Sequence, residues 1–285
     1  MSRVTTTAAI QLCATPDVAA NLTTLSRLAR DAADAGAEVI MVPEAFAFLG
    51  PEREKQQIVE PLPTAPSHGM ASGPFRAGPI LTQCQDLARE TRCHLILGGF
   101  HEASDHPDKC YNTCVHLTPE GAVAACYRKI HLFDISLSDG TALRESARTL
   151  AGDAAVTTEL PFGRLGLSVC YDIRFPYLYQ RLVDLGAEAL TVPSAFTRPT
   201  GAAHWHVLLR ARAIECQSYV IAPAQHGHNW GKRTSYGHSV IIDPWGQVLA
   251  ELPDGDGFIV ADIDPEETAR VRRELPSLEH RRNLP

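Results

Sequence analysis

Apolar and polar positions along the chain follow two alternating periods, which predict strands and helices in turn. In the first half the pattern predicts a strand, an amphipathic helix and a short buried strand, then a second helix and three further strands. These segments are residues 4–13, 17–37, 38–43, about 80–92, and the runs HLILGGF, CYNTCVHL and AVAACYRK. Asp17 stands at the start of the first helix and Gly36 near its end, as helix boundary signals require. A Pro-Glu-Gly turn joins the last two strands into a hairpin.

The second half repeats this order. Its predicted segments are the strand GRLGLSVC, the helix FPYLYQRLVDLGA, the strand EALTVP, the helix HWHVLLRARAIEC and the strands SYVIAPAQ, HSVIIDP, GQVLAEL and GFIVADI. The echo is closest between DAGAEVIMVPEAF and DLGAEALTVPSAF, which share a helix end, a glycine, an acidic residue, an apolar strand and a proline. We therefore expect an α/β fold with an internal pseudo-repeat, in which two sheets pack face to face with helices outside. We expect it to form a single domain over residues 1–285.

Composition and charge narrow the class of protein. The chain has 45% hydrophobic and 21% charged residues and a formal net charge of -7. That charge disfavours binding to nucleic acid or anionic membranes, and no apolar stretch approaches the roughly 20 residues of a membrane span. The first thirty residues show no secretory pattern, so we expect a cytoplasmic protein. The eight cysteines form no CxxC pair, which favours reduced and mostly buried thiols over a disulfide framework.

One cysteine differs from the others in its position. Cys170 ends the apolar run LGLSVC, where the helix-like segment YDIRFPYLYQRL begins, so its thiol is predicted to be exposed at a strand-to-helix turn. Such a turn also directs the N–H of Tyr171 toward whatever the sulfur attacks. Two other apolar strands likewise end in one polar residue, Glu44 and Lys129. Taken alone, Glu44 could cap a turn after Pro43 and Lys129 could extend from a strand end to solvent.

The segments around these residues resemble a known family. With PEAF at 43–46, YRKIHLFD at 127–134 and SVCYDIRFP at 168–176, nearly the whole chain resembles the nitrilase superfamily of carbon-nitrogen hydrolases. The resemblance implies a four-layer α-β-β-α sandwich in which Glu44, Lys129 and Cys170 are catalytic, with Glu145 as an auxiliary second glutamate. The strings at 192–215, 225–246 and 278–282 resemble the branch that contains deaminated glutathione amidase and omega-amidase. His206 departs from the pattern, since many relatives carry Glu there.

The chemistry that follows is thiol-dependent hydrolysis of a small carboxylate-bearing amide. Cys170 would attack the carbonyl and form a thioester, and Glu44 would take the thiol proton and return it to the departing ammonia. Lys129 and the Tyr171 N–H would stabilise the oxyanion, and Glu145 would orient the base, the lysine or the hydrolytic water. A carboxylate and an ammonium about 4 Å from the sulfur have opposite and similar effects, so the thiol should stay protonated until attack. We expect deaminated glutathione as substrate, with α-ketoglutaramate as the alternative; a catalytically silent interaction protein is the alternative of another class.

Four residues are predicted to contact substrate, namely Tyr171, Arg174, Phe196 and Thr200. Asp172 and Arg174 follow Cys170 closely enough to face the pocket. Arg174 suits a substrate carboxylate because a guanidinium offers it two hydrogen bonds, and the alternative is an ion pair with Asp172. The loop from Ser194 to His204 is expected to form a pocket wall, and residues 50–80 to form a lid or substrate loop.

We expect no cofactor and no metal. The histidines at 204–206 and 225–228 match no zinc spacing, and no third cysteine or carboxylate is expected near them. Helix 203–215 carries apolar residues on several faces, which fits either burial within the monomer or pairing across a two-fold axis. The resemblance favours pairing, and hence a homodimer or a higher homo-oligomer.

Overall fold

The computed structural model describes residues 2–63, 76–136 and 142–282. The helices are α1 (Val18–Asp34), α2 (Pro79–Thr91), α3 (Pro176–Asp184), α4 (Arg198–Cys216) and α5 (Pro265–Glu274). The strands of the first half are β1 (Thr5–Gln11), β2 (Val39–Val42), β3 (His94–Ala103), β4 (Cys110–Leu117), β5 (Val123–Arg128), β6 (Asp134–Ser136), β7 (Ala142–Arg144) and β8 (Thr149–Leu150). Those of the second half are β9 (Thr157–Leu160), β10 (Gly163–Leu167), β11 (Ala189–Thr191), β12 (Tyr219–Ala222), β13 (His226–Trp230), β14 (Arg233–Tyr236), β15 (Ser239–Ile242), β16 (Val248–Leu252) and β17 (Gly257–Ile263).

Most strands belong to two large sheets. The first has the order β17-β1-β2-β3-β4-β5, with β8 paired to β4, and the second has the order β16-β15-β12-β11-β10-β9. Strands β1, β2 and β3 are parallel, as are β10, β11 and β12, and the remaining pairs of both main paths are antiparallel. Each half therefore has its own core of three parallel strands, which matches the predicted pseudo-repeat.

Alternating side chains place each sheet between two layers. On β1 and β2, Ala9, Val39 and Met41 face the cluster that contains the second sheet, whereas Ala8 and Ile40 face the cluster formed with α1 and α2. Successive strand residues point to opposite faces of a sheet, so both faces of the first sheet are buried. Helices α3 and α4 cover the outer face of the second sheet. The predicted four-layer α-β-β-α sandwich is confirmed.

Several elements differ from the expectation. Helix α4 begins at Arg198, so the segment predicted as a loop up to His204 is helical from there on. Pro199 occupies the first turn of this helix, where its missing N–H costs nothing. The hairpin of β13 and β14 was not predicted, and β17 returns to the first sheet beside β1. Between residues 50 and 80 the chain forms a 3₁₀ helix at Glu52–Gln57, and residues 64–75 of the expected lid lie outside the described residues.

No helix within the described ranges is both long and apolar enough to cross a membrane. All eight cysteines are unpaired, and six of them are buried, with Cys13 and Cys126 half-buried.

Candidate active site

Glu44 lies at the carboxyl end of β2, in a turn where the two halves of the fold meet. One of its oxygens accepts hydrogen bonds from Lys129 Nζ at 3.0 Å and Asn112 Nδ2 at 2.9 Å, and the other accepts one from the Ala195 N–H at 2.9 Å. Ala195 follows β11 as Ala45 follows β2, so the repeat-related PEAF and PSAF turns touch each other. Gly99 makes room for this contact, since a Cβ there would lie 2.7 Å from Glu44 Cγ. Glu44 is thereby held in one orientation by three donors.

Lys129 lies between two carboxylates. It follows β5 and is 1% exposed, and its ammonium donates to Glu145 at 3.1 and 2.9 Å as well as to Glu44. Glu145 begins a short 3₁₀ helix and also accepts the Phe133 N–H at 2.7 Å. Of the three predicted partners for Glu145, the contact is therefore with the lysine.

Asn112 completes this cluster and was not foreseen from the sequence. Its Nδ2 donates to Glu44 at 2.9 Å and to Glu145 at 3.0 Å, from a position on β4. The one signal for this role in the sequence was an asparagine within CYNTCVHL, a segment whose other residues suit a strand. The carboxylates of Glu44 and Glu145 thus share two hydrogen-bond donors, the Lys129 ammonium and the Asn112 amide. These donors allow the two negative charges to lie close together in a buried site.

Cys170 begins a 3₁₀ helix, Cys170–Arg174, after β10. Its φ of 49° lies in the left-handed region, which is strained for a residue with a side chain, and its N–H donates to Pro193 O at 3.0 Å. The Tyr171 N–H lies in the first turn of this helix, where N–H groups have no intrahelical acceptor. The strand-to-helix turn is as predicted, but the thiol is not exposed: the residue is 7% accessible. Glu44 and the backbone of Ala195 lie against it.

Asp172 braces this turn from inside, contrary to the expectation that it faces the pocket. The carboxylate is fully buried and accepts hydrogen bonds from the Val169 N–H at 2.9 Å and Tyr127 Oη at 2.8 Å. It also accepts from the His131 N–H at 3.0 Å, and His131 Nδ1 lies 2.7 Å away. These partners leave no ion pair between Asp172 and Arg174. The alternative proposed for Arg174 is therefore wrong.

The electrostatics of the cluster keep the lysine charged and the thiol neutral. Burial lowers the pKa of Lys129, but Glu145 and Glu44 outweigh that effect and raise it well above its ordinary value. Burial acts to raise the pKa of Glu145, yet Lys129, Lys55 and the Phe133 N–H bring it down to about 2. Burial and the adjacent Glu44 raise the pKa of the Cys170 thiol, and Lys129 opposes them only in part. The resting nucleophile is therefore a thiol, in line with the sequence-based expectation.

Two cavities adjoin Cys170. The larger, of about 90 Å³, is lined by Glu44, Lys129, Glu145 and Cys170 and also by Asn112, Lys55, Arg144 and Arg233. The smaller, of about 10 Å³, is lined by Cys170, Phe133, Tyr171, Arg174, Ala195, Phe196, Thr197 and Thr200. The four predicted catalytic residues thus meet in one cavity, and the four predicted substrate contacts surround the other.

Arg174 is held at the smaller cavity by aromatic rings. Its guanidinium carbon lies 5.7 Å from the Tyr171 ring centre and 5.4 Å from that of Phe196. Both terminal nitrogens lie 3.3 Å from His204 Nδ1. The guanidinium is therefore held in place by the two rings. It has no carboxylate partner among the described residues, as a role in binding a substrate carboxylate would need.

One of the histidines that invited a metal interpretation, His206, lies in a cluster with His238 and Glu251. His206 Nε2 and His238 Nδ1 lie 2.9 and 2.5 Å from the same oxygen of Glu251. The expectation that no carboxylate lies near the histidines at 204–206 and 225–228 is wrong, because β16 brings Glu251 beside His206 on α4 and His226 contacts Asp254 and Asp256. His206, His238 and Glu251 form the one group in the described ranges that could hold a metal ion. None of them lines either cavity at Cys170.

Comparison with known proteins identifies the family. The sequence profile described as carbon-nitrogen hydrolase matches residues 6–273. The human protein named deaminated glutathione amidase is 44% identical over 282 residues, which cover 96% of this chain and 81% of that protein. The structure of Saccharomyces cerevisiae Nit3, a member of branch 10 of the nitrilase superfamily, is 29% identical with a TM-score of 0.83, covering 97% of this chain and 96% of Nit3.

The NitFhit protein of Caenorhabditis elegans is also similar, with 35% identity and a TM-score of 0.88. The match covers 99% of this chain but 66% of NitFhit, so the chain spans slightly less than two thirds of that protein. The resemblance seen in the sequence motifs is thereby confirmed. With a profile match over almost its full length and a relative above 40% identity, this chain belongs to the carbon-nitrogen hydrolase family.

Proposed function

We propose that this hydrolase is a deaminated glutathione amidase that acts through Cys170. The observation that carries the chemistry is the buried contact of Lys129 with Glu44 and Glu145 in the cavity that also contains the thiol. The substrate is suggested by the human relative of that name, which matches 96% of this chain.

The first half of the reaction forms a thioester. As the sulfur attacks the amide carbon, Glu44 takes the thiol proton, and the carbonyl oxygen becomes an oxyanion between Lys129 Nζ and the Tyr171 N–H. When the tetrahedral intermediate collapses, the carbon–nitrogen bond breaks and Glu44 returns the proton to the leaving nitrogen. Proton transfer during attack suits a thiol whose pKa is raised at rest.

The second half returns the enzyme to its starting state. Water attacks the thioester while Glu44 takes one of its protons, and the same two donors hold the new oxyanion. Collapse then breaks the carbon–sulfur bond, the thiolate receives the proton from Glu44, and the acid is released. Glu145 does not take part in these transfers: it holds Lys129 in place and keeps it charged.

Substrate contacts and assembly extend this proposal. Arg174, stacked between Tyr171 and Phe196, would bind the carboxylate of the acyl group, with Thr200 beside it. The outer face of α4 would pair with a second copy of the chain, since Val207 and Ile214 are 69% and 48% exposed there. The role of Arg174 is expected from its position after Cys170 and from guanidinium geometry, and the pairing through α4 from the sequence resemblance.

Omega-amidase activity toward α-ketoglutaramate is the main alternative. Both substrates give 2-oxoglutarate, but the leaving group is cysteinylglycine from deaminated glutathione and ammonia from α-ketoglutaramate. We expect a kcat/KM at least tenfold higher for deaminated glutathione, and no turnover of a simple nitrile. Release of 2-oxoglutarate from the two amides, and of ammonia from the nitrile, measures this directly.

The same panel separates the remaining outcomes. Equal or higher kcat/KM on α-ketoglutaramate would assign omega-amidase instead. A silent interaction protein would release nothing from any of the compounds. Alkylation of Cys170 before the assay is the control, since it should abolish whatever turnover is seen.

A further inference from the structure

Arg233 is a cation of the larger cavity that has no role in the chemistry described so far. Arg233 opens β14 and lines this cavity together with Glu44, Lys129 and Cys170. Its Nη2 donates to Ala195 O at 3.1 Å, and its buried Nε has no hydrogen-bond acceptor. A buried N–H without an acceptor is costly, so an acceptor supplied by a ligand would be favourable here.

The other buried or half-buried cations of this cavity are already neutralised. Lys129 lies between Glu44 and Glu145, and Lys55 Nζ lies 2.6 Å from Glu52. Within the described ranges no carboxylate lies at ion-pair distance from Arg233, and the one side-chain hydrogen bond that it makes there is to a neutral carbonyl. A guanidinium without an ion-pair partner matches the two oxygens of a carboxylate better than any neutral group.

The position of Arg233 relative to Glu44 indicates which end of a substrate it meets. Arg233 donates to the carbonyl of Ala195, and the N–H of the same residue donates to Glu44. In the proposed reaction Glu44 gives its proton to the leaving nitrogen, so the leaving group lies on the side of Glu44. Arg174 instead lines the smaller cavity, which Cys170 also lines.

We propose that Arg233 binds a carboxylate carried by the leaving amine and so selects amides of peptide-like acids over amides that release ammonia. This inference rests on the proposed function, in which Glu44 protonates the leaving nitrogen. It assigns the two arginines to opposite ends of the substrate: Arg174 to the acyl carboxylate and Arg233 to the carboxylate of the leaving group.

The test compares two substrates that differ only at the far end of the leaving group: deaminated glutathione and its C-terminal carboxamide. Wild-type protein should show kcat/KM about 10- to 100-fold higher for the carboxylate form, the usual range for a hydrogen bond to a charged group. Arg233→Ala should remove most of this ratio, and Arg233→Lys should restore part of it. Arg174→Ala should lower kcat/KM for both substrates by similar factors and leave their ratio unchanged.

Lys232→Ala is the matched control, because it removes an exposed positive charge from the adjacent residue. It should leave the ratio as in the wild type. An Arg233→Ala variant that lowers both substrates equally would overturn the inference while leaving the amidase proposal intact.

Binding provides a measurement that does not depend on turnover. Alanylglycine and alanylglycinamide are titrated into wild-type protein, Arg233→Ala and Lys232→Ala. A preference for the carboxylate form that only Arg233→Ala loses would support the inference even if neither substrate were hydrolysed, an outcome that would count against the proposed function alone. No preference in the wild type would contradict it.

Discussion

Lys129 shows how strongly a single residue can depend on its neighbours. An ammonium that is 1% exposed is costly to bury, and it is tolerated here because Glu44, Glu145 and Asn112 form one hydrogen-bonded cluster around it. The same contacts fix the position of the proposed oxyanion donor. Charge balance and catalytic orientation thus come from the same hydrogen bonds.

The depressed pKa of Glu145 has a consequence for stability. Its folded-state pKa is about 2 against an ordinary value of 4.5, so the stabilisation is fully present above about pH 4.5 and is lost as the pH falls toward 2. The full effect is on the order of 3 kcal/mol at 1.36 kcal/mol for each pH unit. Urea unfolding of wild type at pH 7, 4.5 and 3.5 should show this loss, and Glu145→Gln should flatten it.

Glu159→Gln is the control for this measurement, because Glu159 is an exposed glutamate paired with Arg164 at the surface. It should keep the wild-type dependence on pH. An unfolding free energy that falls equally in Glu145→Gln would show that other carboxylates cause the loss. Glu145 would then not be the partner that keeps the lysine charged.

At the scale of elements, the site is built where turns after parallel strands converge. The turns after β2, β10 and β11 supply Glu44, Cys170 and Ala195, and the carboxyl ends of parallel strands meet at one edge of a sheet. Cys170 and Ala45 both have positive φ, with values of 49° and 58°. Backbone strain of this kind persists only when surrounding contacts fix it, and here each turn is hydrogen-bonded to another.

Helix α4 has one face in the monomer core and another that is exposed. Trp205 and Leu209 are buried, whereas Val207 and Ile214 are exposed, and Ile214 lies against the turn that carries the exposed Trp245. We predict that Val207→Glu converts a dimer into a monomer, because a charge in a dry interface is left without a partner. Size-exclusion chromatography with light scattering measures this.

Val4→Glu is the comparison, since Val4 is an exposed valine that precedes β1 in the first sheet. It should leave the mass in solution unchanged. A wild-type protein that is already monomeric would contradict the pairing of α4. The helix would then be explained by burial in the monomer alone.

At the scale of the whole molecule, periodicity was enough to predict the layers but not the long-range contacts. The order of strands and helices follows from local hydrophobic patterns, and so does the position of Cys170, Glu44 and Lys129 at strand ends. The short hairpin that carries Arg233 has no such pattern, because its strands contain many polar residues. Its position is set by contacts with Ala195 and Thr197.

The misassigned residues have a common physical reason. Asn112 was missed and Asp172 was placed wrongly because a polar residue in a strand or a turn can face either the cavity or the interior. Which one it faces depends on partners from distant segments, here Glu44 and Glu145 for the asparagine and Tyr127 for the aspartate. Adjacent sequence does not contain that information. The buried state of the Cys170 thiol has the same origin.

The role of Cys170 is tested most directly by kcat/KM for deaminated glutathione, measured side by side for wild type and Cys170→Ala. We predict turnover by the wild type and a loss of at least about 10³-fold in the variant, since removing a nucleophile leaves only binding and oxyanion stabilisation. Circular dichroism should match, because Cys170→Ala removes a single buried sulfur and leaves the backbone of the turn unchanged. A folded Cys170→Ala variant within tenfold of wild type would contradict a thioester mechanism at this residue.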